Sequence, residues 1–157
     1  MGWLFLPARF PAGMVYVRDE GSLFDAPIGT IWKYLQSDED HGPSHKGRRN
    51  FDRKQVNENT VILSWEQEHE GTWSRVSNRL TFHPPLGFFV EPLEGPMAGS
   101  KFLNYYVPKG NQTEVVVVGD WASKTIPPAQ LEKAVWGNLE KVFHEDVAGL
   151  KAFGGKK

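Results

Sequence analysis

Five histidines, nineteen carboxylates and no cysteine set the chemistry open to this 157-residue chain. Without thiols, disulfides, cysteine-based zinc sites and thiol nucleophiles are excluded. His41 and His45 flank Gly42-Pro43-Ser44, with Asp38 and Asp40 close by. Imidazole and carboxylate suit zinc or nickel. Acidic loops with two histidines are common, however, and no further histidine is near. The segment reads as a surface loop, with no metal and no other cofactor expected. Catalysis in a pocket would need an inward ionisable group able to move a proton. His69 shares a strand face with Leu63, Trp65 and Gln67, although its place beside a turn puts it near a rim. Asn78 falls with Val76 and Leu80, a polar group on an apolar face, where it would orient a ligand or satisfy a backbone group. His144 reads as helix surface and Asp120 as a surface carboxylate. No Ser-His-Asp arrangement, phosphate-binding glycine loop or metalloprotease motif is present.

These side chains must be positioned by a simple succession of elements. A first strand is predicted over 14–20, followed by a helix from Asp25-Ala26-Pro27. Asp25 would cap that helix, Pro27 opens it, and Ile28, Ile31, Trp32 and Leu35 share a face. It should end before Gly42-Pro43. Alternation then predicts strands over 48–56, 61–69, 72–82, 87–93, 101–107 and 113–121. On the hairpin of 61–69 and 72–82, arginines of the second strand should face glutamates of the first in solvent. The inward face of strands 101–107 and 113–121 stays open from sequence. Pro127-Pro128 begins a pattern running to Phe153. Leu131, Ala134, Val135, Leu139, Val142, Phe143, Val147 and Leu150 recur in it at three- and four-residue steps. A long amphipathic helix after a run of hairpins must lay its stripe on the sheet. The fold class is α+β: a curved antiparallel sheet of about seven strands wrapped around a long C-terminal helix.

Length and composition fit one domain over 14–153, with an N-terminal arm at 1–13 and a short tail at 154–157. Six Trp and ten Phe exceed what a modest core needs, and large rings also line pockets for flat or apolar ligands. A net charge of −1 argues against a nucleic-acid partner, and Lys46-Gly47-Arg48-Arg49 reads as a solvated loop. The apolar run Trp3, Leu4, Phe5, Leu6 is too short to span a bilayer. It would pack on the domain or on a partner, a homodimer included. No stable membrane insertion is expected, and the cytoplasm is the expected location.

The segment Phe24-Asp25-Ala26-Pro27-Ile28-Gly29-Thr30-Ile31-Trp32-Lys33-Tyr34-Leu35 resembles the opening signature of the START-like superfamily. His83-Pro84-Pro85, Glu94-Gly95-Pro96 and Gly99-Ser100 are similar to its middle hairpins. That group includes polyketide cyclase/dehydrase, lipid-transfer and birch-pollen-allergen-like proteins. The resemblance spans about 14–153 and implies a helix-grip fold. It also implies a cavity between sheet and helix for a lipid, polyketide-like or other hydrophobic or aromatic small molecule. Trp65, His69, Asn78, Leu80, Phe82, Leu139, Val142 and Phe143 are the expected wall residues. A cyclase or dehydratase acting in the same cavity is the alternative, with His69, Asn78 or a cavity tyrosine guiding the proton. An interaction module without a ligand is the other alternative.

Overall fold

The structure, a computed structural model, describes residues 13–155. The arm residues Trp3 to Leu6 and the last two lysines lie outside them. Strand β1 (Val15–Phe24) leads into helices α1 (Ile28–Leu35) and α2 (His41–Ser44). Strands β2 (Arg48–Asn57), β3 (Thr60–His69), β4 (Thr72–His83), β5 (Gly87–Glu94), β6 (Lys101–Lys109) and β7 (Gln112–Trp121) follow. Helix α3 (Pro128–Gly154) ends the fold. The seven strands form one antiparallel sheet in the order β1-β7-β6-β5-β4-β3-β2. Every hairpin from β2 to β7 joins neighbours, while α1 and α2 carry the chain from one edge strand to the other. Those two helices therefore stand where the curled sheet leaves a gap.

Register decides which side chains face inward. Val61 lies opposite Leu80, and Leu80 opposite Val90. Val90 lies opposite Phe102, and Phe102 opposite Gly119. The faces left open by the sequence are thereby settled: Phe102, Asn104 and Tyr106 point inward on β6, with Val115, Val117 and Trp121 on β7. Gly119 permits this packing, because a side chain there would collide with the Lys101 carbonyl and the Phe102 backbone. The Phe102 ring can thus stack on Trp121, 4.1 Å between centroids. Register shifts at Asp19/Ser22 and Ser77/Asn78 bend the strands. The second sets Asn78 opposite Pro92, which has no N–H to donate.

Helix α3 approaches β1, β7, α1 and α2. Leu131, Val135, Leu139 and Leu150 are buried beneath it. Each such aliphatic side chain is worth about 1.5–3 kcal/mol relative to leaving it in water. No helix of the described residues is long and apolar enough to cross a membrane.

Several local expectations need correction. The N-cap of α1 is Pro27, and no side chain caps it, so Asp25 does not perform that role. The first helical segment ends at Leu35, before Gly42-Pro43 as expected, but that pair is itself helical, in the separate single turn α2. Proline is tolerated in a first helical turn, where its missing N–H has no partner to lose. The expected Arg–Glu pairs form with other strands: Glu66 takes Arg49 of β2 at 2.7 Å, while Arg75 and Arg79 reach Glu94 and Glu91 of β5. Asp120 is half-buried, with Oδ1 shielded and unpartnered, rather than a plain surface carboxylate. Val147 is 39% exposed. At about 100° per residue it lies about 80° from Leu139 around the helix, whereas Asp146 lies about 20° away. The centre of the stripe therefore holds a carboxylate.

Candidate functional site

The interior between sheet and α3 has an aromatic end and a polar end, and α1 contributes to both. At the aromatic end Trp32 meets Phe82 edge-on at 6.3 Å and Tyr106 at 6.1 Å, while Phe88 contacts both partners. Trp32 Nε1–H donates to the Pro85 carbonyl at 2.8 Å, which fixes the indole in place. Beside this cluster an open cleft of ≈ 830 Å³ is lined by Gln36, Arg53, Gln55, Val61, Phe82 and Pro84, among others. Val61, Phe82 and Pro84 give this mostly polar cleft an apolar patch, which suits a ligand with both apolar and polar parts.

The expected wall residues do not gather in one place. Leu80 and Leu139 are buried in the main core, with Phe143 packed at its edge and its ring 5.0 Å from Phe24. Trp65 is also buried, but its partners are Phe51, stacked at 6.3 Å, and the Arg48 guanidinium, 4.7 Å from its ring centre. Phe82 reaches the large cleft. His69 and Val142 meet instead at a smaller recess of ≈ 220 Å³ with Arg48, Gln67 and Glu145. His69 is exposed at the strand end, so the rim placement inferred from the turn is where it stands. Asn78 sits on the inward face between Leu63 and Pro92, and its Oδ1 is buried without a hydrogen-bond partner. A buried acceptor left unpaired costs about 1–3 kcal/mol.

The polar end was not assembled by the sequence reading. Helix α2 carries His41, with His45 at its C-cap, and α3 supplies Glu145 and Asp146. His45 is buried, and its Nδ1–H donates to Glu145 at 3.0 Å. Its Nε2 stands 3.3 Å from His41 Nε2 and 3.5 Å from Asp146 Oδ1. Tyr34 of α1 donates to Ser44 at 2.9 Å and approaches Asp146 Oδ1 at 3.3 Å. Gly149 makes room for this contact, since a side chain there would run into the Tyr34 hydroxyl. Of the carboxylates near in sequence, Asp38 pairs with Arg53 at 2.8 Å, and Asp40 accepts from Ser37 at 2.6 Å. Asp146 was the missed residue. Its signal in the sequence is a carboxylate at the centre of an apolar stripe, beside the apolar but exposed Val147.

Burial sets the protonation here. It pulls His45 down to about 4, helped by the positive charge of Arg48, so the imidazole is neutral at ordinary pH. Burial pushes the Tyr34 hydroxyl well above its usual value, and the Asp146 charge adds to this. The fully buried Tyr106 is raised in the same way, again with Asp146 contributing. Both phenols keep their protons. One phenol, two imidazoles and a carboxylate thus converge where α1, α2 and α3 meet, a set able to hold a proton or a cation.

No protein-family profile and no curated protein sequence matches the chain. Solved structures do. TTHA0849 from Thermus thermophilus superposes with a TM-score of 0.70 at 19% identity, over 88% of this chain and 98% of that one. The Zhui aromatase/cyclase from Streptomyces sp. R1128 gives 0.68 at 12% identity, over 87% and 91%. A START superfamily protein from Mycobacterium smegmatis gives 0.69 at 15% identity, over 89% and 98%. Element order, sheet and terminal helix agree with what the START-like resemblance implied, and the chain has the START-like helix-grip fold.

Proposed function

We propose that the chain binds a hydrophobic or aromatic small molecule between the concave face of the sheet and α3. The observation that carries this reading is Asn78, whose Oδ1 is a shielded acceptor without a partner on an otherwise apolar face. A ligand hydroxyl or N–H would satisfy it while apolar atoms rest on Leu80 and Phe82. The open cleft beside Phe82 supplies an entrance. Trp65, His69, Val142, Leu139 and Phe143 complete the wall in this reading, with His69 at the rim.

Two probes test it. Naphthalene and 2-naphthol share a ring system, and only the second can donate to Asn78. Titration followed by tryptophan fluorescence should show 2-naphthol bound about tenfold more tightly, a difference of about 1.4 kcal/mol. Asn78→Leu should remove that preference and leave naphthalene binding intact. Equal affinities in the parent chain, or no saturable binding of either probe, would refute the proposal.

A second reading, a cyclase or dehydratase in the same cavity, draws on the structural likeness to an aromatase/cyclase and on the proton-bearing groups beside Tyr106. In that case the proton relay runs through Tyr34, His41 and His45 rather than exposed His69. His69→Ala should then leave turnover of a candidate polyketide unchanged.

A further inference from the structure

We infer that His41, His45 and Asp146 form a binding site for one divalent first-row transition-metal ion. The three ligand atoms are His41 Nε2, His45 Nε2 and Asp146 Oδ1. They form a near-equilateral triangle with sides of 3.3, 3.3 and 3.5 Å. An ion bonded at about 2.0–2.2 Å holds neighbouring ligands roughly 3.0–3.5 Å apart in octahedral or tetrahedral geometry. The triangle already has those dimensions.

A purely hydrogen-bonded cluster accounts for less of this arrangement. Glu145 is a carboxylate and can only accept, so the 3.0 Å contact places the His45 proton on Nδ1. In the neutral ring His45 Nε2 is then a lone pair, and it faces Asp146 Oδ1 at 3.5 Å. A proton on His41 Nε2 can reach either acceptor. It cannot occupy the point on which all three atoms converge, whereas a cation does.

The surroundings match what metal ligands require. A carboxylate behind the distal nitrogen of a ligating histidine orients the ring and raises its basicity; Glu145 holds that position for His45. The Tyr34 hydroxyl steadies Asp146 Oδ1 from the other side. His41 and Asp146 keep 25% and 14% side-chain exposure, which gives an ion a path from solvent. Two imidazoles with one carboxylate favour zinc, cobalt, nickel or ferrous iron over calcium and magnesium, which prefer oxygen ligands alone. Three protein ligands leave coordination positions for water or a small molecule. This site does not depend on the small-molecule reading above.

Cobalt(II) is the probe. Chelator-treated full-length protein titrated with Co²⁺ should develop visible ligand-field absorption saturating at one equivalent. Zn²⁺ should displace it one for one, and Mg²⁺ should not. His41→Ala and Asp146→Asn should abolish the bands, with folding confirmed by far-UV circular dichroism. Glu145→Gln should weaken Co²⁺ binding about 10–100-fold. His144→Ala, on the exposed side of α3, should change nothing. Should either ligand variant lose its fold, His41→Gln takes its place, keeping bulk and polarity without the imidazole. Absence of bands in the parent chain overturns the assignment. So does a cobalt site that survives both His41 and Asp146 substitutions, or one that disappears with His144.

Discussion

The two halves of α3 follow one helical stripe with different chemistry. From Leu131 to Leu139 the stripe is aliphatic, buried in the core beside β1 and β7. From Val142 to Leu150 it includes a carboxylate, Asp146, and a position with no side chain, Gly149, set against α2 and Tyr34. Stability alone does not favour the second pattern. A buried carboxylate is a net cost unless it is well partnered, and glycine within a helix costs about 1 kcal/mol relative to alanine. The first half anchors the helix. The second keeps polar groups and space where packing would place leucines, which is the signature of a site.

Substitutions can break or sharpen this contrast. The largest effect belongs to the anchoring half. Leu131, with no exposed surface, should cost about 2–5 kcal/mol when changed to alanine, read from chemical denaturation. Next comes Gly149→Ala. On a free helix face this change stabilises, but here the new methyl meets the Tyr34 hydroxyl and the Ser44 side chain. A loss of about 1–3 kcal/mol is expected, as for an overpacked core. Tyr34→Phe combined with it should restore part of the loss, and that coupling ties the glycine to the phenol rather than to general packing. A stabilising Gly149→Ala would show that the polar half is looser than described. The smallest effect is Val147→Glu. The side chain points away from the stripe, so stability should stay within about 0.5 kcal/mol of the parent.

Much of the framework was legible because it rests on periodicity. The strands alternate, the turns carry glycine and proline, and α3 announces itself through Leu131, Val135 and Leu139. Boundaries moved by a few residues, as with β1, which runs on to Phe24 through a bulge that alternation alone does not foresee. Partner choice was less legible. Glu66 has Arg75 opposite it on β4, yet its ion pair forms with Arg49 on the other neighbour. Nothing in one strand's sequence says which flanking strand a long side chain will reach.

The polar end was least legible, because its parts lie about a hundred residues apart, as His45 and Glu145 do. His41 and His45 were visible as a pair, but Asp38, near them in sequence, pairs with Arg53. A register count along α3 points to Asp146 instead. Asn78 was recoverable for the opposite reason: its neighbours on β4 alone marked it as a polar residue on an apolar face.

The most direct measurement is thermal unfolding of the parent chain, Leu131→Ala and Asp146→Asn, each metal-free and again with Co²⁺ in excess. Leu131→Ala should melt lower than the parent, yet gain the same several degrees from the ion. An ion at about 100 times its Kd adds about 2.7 kcal/mol to the folded state. Asp146→Asn should gain nothing. A gain in Asp146→Asn equal to the parent's, or none in the parent, would contradict the division of α3 into an anchor and a site.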